Sequence, residues 1–220
     1  MMENIITVEH AVKKFKDATV LKDVSISFEK GKIHGIVGRN GSGKTVLFKS
    51  ICGFMPLTQG KITVAGKVIG KDVDVPRNVG AIIEAPGFLP NYSGFKNLKL
   101  LAVIHNTIDN ETIRKTMERV GLDPKSRKWV SKYSLGMRQR LGIAQAIMEN
   151  PEILILDEPM NGLDNRGVAD IRALLLGLKE EGKTILLASH SAEDIDVLCD
   201  TVHEMDAGIL ETVRMEKPAD

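Results

Sequence analysis

Long apolar runs are missing from this 220-residue chain. Segments such as 153–156 and 185–188 are only a few residues long, against the ~20 that a helix needs to cross a bilayer. If the protein works at a membrane, another chain must supply the spans. The start, Met1-Met2-Glu3-Asn4-Ile5-Ile6-Thr7-Val8, has no basic stretch followed by an apolar one, so it is not read as a signal peptide. Charge of one sign is missing too. The 30 Lys and Arg balance 29 Asp and Glu to a formal net charge of +1, with no long basic run. That excludes a broad electrostatic footprint for nucleic acid, and no nucleic-acid partner is expected. Cysteine is scarce. Cys52 and Cys199 lie far apart without metal-ligand spacing, and read as two reduced thiols of a cytosolic protein. There is no internal repeat and no low-complexity segment.

What is present is an ordinary globular composition, 43% hydrophobic and 27% charged, able to bury a sizeable core. The first sixty-five residues read as short strands separated by turns. Val24, Ile26 and Phe28 alternate on one face of a half-buried strand. Residues 32–37 run into a glycine-rich turn, 44–53 have helical character, and 61–64 form a strand closed by Gly66. From about 95 to 150 the period becomes helical: Phe95, Leu98, Leu101 and Ala102, then Ile113, Met117 and Val120 between an Asp109 cap and Gly121. Strands and helices alternate afterwards. The spacing predicts strands at 153–156 and 184–189, helices at 168–179 and 192–198, and a closing hairpin around Ala207-Gly208.

Two segments carry chemistry of their own. Gly38-Arg39-Asn40-Gly41-Ser42-Gly43-Lys44-Thr45 matches G-x-x-x-x-G-K-[ST] between an apolar strand and a helix start. Glycines let the backbone curl so that successive N–H groups point at phosphate oxygens, and the helix N-terminus adds its positive end. Lys44 would bridge the β- and γ-phosphates, and the Thr45 hydroxyl would ligate Mg²⁺. A glycine-rich turn that merely joins strand to helix is the competing reading; the strand before and the helix after favour a nucleotide. The second segment, Ile153-Leu154-Ile155-Leu156-Asp157-Glu158-Pro159, ends a buried strand in two carboxylates. That places them at the ligand crevice of an open α/β sheet. Asp157 is suited to hold Mg²⁺ through water, and Glu158 to act as general base on the attacking water.

With these two segments in view, further stretches resemble the ABC ATPases. Tyr133-Ser134-Leu135-Gly136-Met137-Arg138-Gln139-Arg140 is similar to the family's signature motif, just upstream of the acidic strand. Asn161-Gly162-Leu163-Asp164 resembles its D-loop, and His190 follows a strand as the family's switch histidine does. The resemblance spans nearly the whole chain, in the family's order. It implies that Phe15 stacks on adenine, although the ring alone would be assigned to the core. It implies that His190 contacts the γ-phosphate, although a lone His at a strand end more often reads as structural. It places Ser134, Leu135, Gly136 and Met137 against the nucleotide of a second protomer, although Ser134 is equally well explained as an N-cap. His10, His34, His105 and His203 receive no role.

Four residues depart from the family pattern. Leu135 stands for the usual glycine, Met137 for the usual glutamine, and Val46 for the second hydroxyl after Thr45. Glu84 stands where glutamine is usual, and is assigned to Mg²⁺ with Thr45 and Asp157. The stretch Gly80-Ala81-Ile82-Ile83-Glu84-Ala85-Pro86-Gly87-Phe88-Leu89-Pro90, with the unusual signature, resembles the bacitracin and lantibiotic resistance or immunity branch. The expected fold is α/β: a P-loop NTPase core of ABC ATPase type with an N-terminal antiparallel β lobe and an inserted helical lobe. One domain is expected over 1–220, with core and β lobe in 1–92 and 151–220 and the helical lobe in 93–150. The resemblance implies an ATP-hydrolysing subunit that works with Mg²⁺, as a homodimer or with a related ATPase subunit. It would sit peripherally on the cytoplasmic face of the cell membrane and drive separate permease subunits that export an antimicrobial peptide or similar substrate. A repair or ribosomal ABC ATPase would need long coiled coils or two ATPase units, which this chain lacks. A P-loop kinase or GTPase would leave the signature and His190 unexplained.

Overall fold

In the computed structural model, residues 3–16, 18–84, 87–105 and 107–214 are described. Two long strands open the chain, β1 (Asn4–Phe15) and β2 (Ala18–Glu29), followed by β3 (Ile33–Val37) and α1 (Lys44–Ile51). Next come β4 (Gln59–Val64), the two-residue β5 (Lys67–Val68) and β6 (Val79–Ile82). Three helices follow: α2 (Gly94–His105), α3 (Asn110–Arg119) and α4 (Leu135–Ile147). The chain then alternates through β7 (Ile153–Asp157), α5 (Asn165–Glu180), β8 (Thr184–Ala188) and α6 (Ala192–Leu198). The β9 (Thr201–Asp206) and β10 (Ile209–Arg214) hairpin closes it.

The strands make two sheets. One is antiparallel in the order β2-β1-β4-β5; the other runs β10-β9-β3-β8-β7-β6, parallel except for β10. The continuous apolar runs of β7 and β8 serve both faces of the larger sheet, because side chains alternate with period two. Leu154, Leu156, Ile185 and Leu187 pack with α2 to α6. Ile153, Ile155, Leu186 and Ala188 pack with α1 and the antiparallel sheet. The core is therefore two apolar layers separated by one sheet. The helices α2, α3 and α4 contribute Leu98, Met117 and Leu141 to the first layer, in one continuous cluster with the strands.

The structure corrects the expectation of short strands near the start. β1 and β2 are each 12 residues long. Their pairing register shifts within the ladder, and His10 and Asp23 adopt φ of +51° and +58°. Such bulges reset which residues face inward: Ile6 and Val8 are buried before His10, and Ala11 after it. Read without the bulge, the alternation breaks and one strand looks like two. No periodic pattern in the sequence predicts the strand β6. It is four residues long with a glycine inside, and it gains its regularity from pairing with β7. Ala85-Pro86 of the Glu84 stretch lies outside the described residues.

Candidate functional site

The loop between β3 and α1 is shaped by close approach. Gly38 has φ +143°, and a Cβ there would lie 2.1 Å from the Met205 carbonyl oxygen, so no side chain fits. The β9–β10 turn braces the loop from behind, with the Gly208 N–H donating to the Ser42 carbonyl at 2.9 Å. Helix α1 begins directly at Lys44, with Gly43 at its N-cap and no side-chain cap. Its first-turn N–H groups are thus left for an anion. Ser42 adds a second sign: its Oγ is buried without a hydrogen-bond partner among the described residues. Lys44 is buried, and its Nζ donates to the Gly38 carbonyl at 2.6 Å and the Arg39 carbonyl at 3.1 Å. Burial pushes the Lys44 pKa down, while the carboxylates of Glu158 and Asp157 pull it back up.

The carboxylates arrive from the C-terminal end of β7. Thr45 Oγ1 donates to Asp157 Oδ2 at 2.8 Å, which brings two hard oxygen donors together beside the phosphate loop. Magnesium is commonly held by one or two carboxylates together with substrate phosphates. The oxygen pair beside an uncapped helix start fits that chemistry. Glu84 lines the same cleft, but its carboxylate is paired with Lys49 Nζ at 2.7 Å and is largely exposed. Its φ is +61°.

Glu158 is the more constrained acid. It has φ +52°, a region that non-glycine residues occupy at a cost of about 1–3 kcal/mol. Its N–H donates to the Ala188 carbonyl at 3.0 Å. Its own carbonyl accepts from the Asn161 N–H and from Gln139 Nε2, both at 3.2 Å. The carboxylate has a weak contact of 3.4 Å from the His190 N–H to Oε2. His190 Nε2 lies 3.4 Å from Oε1, within ion-pair reach but outside hydrogen-bond geometry. Oε1 is therefore buried with its acceptor capacity unused among the described residues. Burial raises the Glu158 pKa first of all; His190 and Lys44 oppose the rise and Asp157 adds to it. A carboxylate raised in this way is tuned towards taking a proton.

His190 is held from two sides. Its Nε2 donates to Asn40 Oδ1 at 2.9 Å, which ties it to the phosphate loop. Behind it, Ser189 Oγ donates to Asp194 Oδ2 at 3.0 Å, and the Ser191 N–H donates to Ser189 Oγ at 3.1 Å. Asp194 is itself anchored by Arg172, whose Nε and Nη2 both reach its Oδ1.

Around these groups lies a cleft of about 790 Å³, lined by the loop residues 40–46 and by Glu84, Asp157, Glu158 and His190. Val20, Gln139 and Asn161 also line it; Gln139 and Asn161 fall within the signature and D-loop stretches but receive no role from the sequence, and Val20 lies in no motif. Gly38 and Arg39 line an adjoining hollow that shares His190. Of the signature residues, Leu135 reaches the cleft. Ser134 caps α4 through the Met137 N–H at 3.1 Å, and Met137 Sδ accepts from Lys128 Nζ at 3.9 Å. Gly136 packs so near Gly162 that a Cβ would lie 2.8 Å from its carbonyl oxygen. Asp164 caps α5, accepting from the Gly167 N–H at 2.8 Å. Phe15 stands at the end of β1 opposite Ala18, outside the cleft lining; its exposed ring lies beneath Lys13 Nζ at 5.0 Å.

Comparison with known proteins places this geometry. A family model described as ABC transporter matches residues 21–161. An uncharacterized ABC transporter ATP-binding protein, YybJ of Bacillus subtilis (strain 168), is 48% identical over 208 residues, covering 94% of this chain and 95% of that protein. The bacitracin transport ATP-binding protein BcrA of Enterococcus faecalis is 41% identical over 212 residues, covering 96% of this chain and 69% of that protein. Among solved structures, a dimeric ATP-binding cassette in a post-hydrolysis state with ADP and Pi superposes with a TM-score of 0.87. It covers 97% of this chain and 100% of that one at 19% identity, a likeness of fold.

Proposed function

Because the chain belongs to the ABC transporter family, as an ATP-binding and ATP-hydrolysing subunit, we propose that the cleft beside Lys44 and Glu158 powers export of an antimicrobial peptide through separate permease subunits. The observation that carries the site is the juxtaposition of an uncapped helix start with a buried, underused carboxylate oxygen of Glu158. The first is built for a triphosphate, the second for the proton of a water that attacks it.

In this reading the curled loop 38–45 binds the phosphate chain. Lys44 exchanges its two carbonyl partners for the β- and γ-phosphates, and Ser42 supplies a further donor. Thr45 and Asp157, with Glu84, would hold Mg²⁺, which neutralises charge on the phosphates when bound. Glu158 accepts the proton of the attacking water, and His190, steadied by Asn40, positions that water against the γ-phosphate. Phe15 receives the adenine ring. The signature segment Ser134-Leu135-Gly136-Met137 meets the nucleotide of a second subunit, a copy of this chain or a related ATPase, and Asp164 lies on the same face. Support for the dimer comes from the dimeric cassette that shares the fold.

No helix among the described residues is long and apolar enough to cross a membrane, and the reading is of a subunit on the cytoplasmic face. A groove of about 980 Å³ between β6, α2 and α4 is the place proposed for the permease. Phe54, Val75 and Ile104 on its walls are more than half exposed, an apolar patch that calls for a partner. The export of a peptide is supported by the bacitracin transport relative at 41% identity. The test of the site is Glu158→Gln. The amide keeps the shape but accepts no proton, so turnover should fall at least ~100-fold while ATP still binds. Turnover at the wild-type rate removes Glu158 as the base.

A further inference from the structure

Helix α4 grips the segment that carries Glu158 at two points. Leu135 and Gln139 are four residues apart, so they share one face of the helix. Leu135 lies over Gly162: a Cβ on that glycine would fall 2.4 Å from Leu135 Cγ, so any side chain there would displace Leu135. One helical turn further on, Gln139 is buried, at 8% exposure, and its side-chain amide meets the Glu158 carbonyl oxygen at 3.2 Å. A carbonyl can only accept, so the group that faces it is the Gln139 NH₂. The two contacts bracket Glu158 to Gly162 at both ends.

Glu158 needs such a grip. Its φ of +52° is unfavourable for a residue with a side chain, and it persists only where surrounding bonds fix it. Three bonds reach its backbone: to the Ala188 carbonyl on β8, from the Asn161 N–H in its own turn, and from Gln139. Gln139 supplies the one that comes from α4, the helix that begins with the signature residues.

We propose that Gln139 is a positioning residue for hydrolysis: by holding the Glu158 peptide, it makes the orientation of the base depend on the placement of the signature helix. A nucleotide engaged by the start of α4 would thereby set the base of the same chain, 19 residues further along. The inference rests on the proposed role of Glu158 as base and of the signature as a contact for the second subunit's nucleotide.

Gln139→Met keeps the volume and removes the donor. Because the Glu158 carbonyl keeps its bond from Asn161, no buried acceptor is orphaned, and the variant should fold. Gln139→Leu is the second variant, with a different shape and the same loss. The expected result is a kcat lower by about 10- to 100-fold, the scale of a misplaced catalytic group, with the dissociation constant for ATP changed less than about twofold. Wild-type kcat in a folded variant overturns the proposal. So does a parallel loss of kcat and ATP affinity, which marks a merely structural residue. Glu158→Gln is measured alongside. If it retains turnover, the base assignment itself fails; if it is dead while Gln139→Met is fully active, only the positioning role fails.

Discussion

At the scale of single residues, Glu84 is where this chain asks the sharpest question. Its carboxylate brings a full negative charge to a position where the family pattern has a neutral amide. The structure shows that charge answered by Lys49, one helical turn beyond Thr45 on α1. The pair is exposed on the Glu84 side, so it contributes little stability, and in the proposed site Mg²⁺ would compete with Lys49 for the carboxylate. Glu84→Gln should therefore keep ATPase activity in the isolated subunit but need less Mg²⁺ for ATP-driven dimerisation, because the amide does not repel the γ-phosphate when metal is absent. Mg²⁺ titrations of dimer formation for wild type and variant read this directly. Superimposable curves would show that Glu84 does not sense the metal.

At the scale of elements, the join between β2, β3 and the β9–β10 hairpin holds a buried polar chain unrelated to the nucleotide. His34 Nε2 donates to the Glu29 carbonyl at 2.8 Å. A neutral His34 must then accept at Nδ1 from Thr201 Oγ1, 2.7 Å away. Thr201 has spent its only proton, so His203 Nε2 donates to it at 3.0 Å, and His203 Nδ1 accepts from Thr212 Oγ1 at 2.9 Å. With both rings neutral, one orientation satisfies every member. Burial pushes the His203 pKa down to about 4, with His34 lowering it further. His34 is also lowered by burial and by Lys32, against the pull of Glu29 and Asp200. A folded pKa below the unfolded ~6.5 means that the unfolded chain binds more protons between the two values. The contribution is complete above pH ~6.5 and is lost as pH falls towards 4, on the order of 3 kcal/mol for His203. The thermal midpoint should fall through that window. Subtracting the curve of His203→Gln should isolate a slope that the variant lacks; equal slopes would show that His203 titrates normally.

Elements also show what the sequence could and could not convey. The phosphate loop, Asp157-Glu158 and the strands β7 and β8 were legible because each is contiguous, and its chemistry depends on neighbours in the chain. The lengths of β1 and β2 were not, since the bulges at His10 and Asp23 depend on the partner strand. Nor were Gln139, Lys49 with Glu84, or the Arg172–Asp194 anchor behind His190. Those contacts join helices to loops far away in sequence, and no local pattern encodes them.

At the scale of the whole molecule, the account requires two subunits to complete each site. Within one chain the cleft holds the phosphate loop, the acids and His190, while Ser134, Gly136 and Met137 lie outside its lining. In the proposed reading they serve the nucleotide of a neighbour. Binding energy released at such an interface is spent by hydrolysis, so a chain that binds ATP and cannot hydrolyse it should collect in the closed, two-subunit state. The most direct measurement is sedimentation velocity of Glu158→Gln with and without Mg-ATP. The account predicts a monomer without nucleotide and a dimer when ATP is saturating. A variant that binds ATP yet remains monomeric at saturation would contradict it.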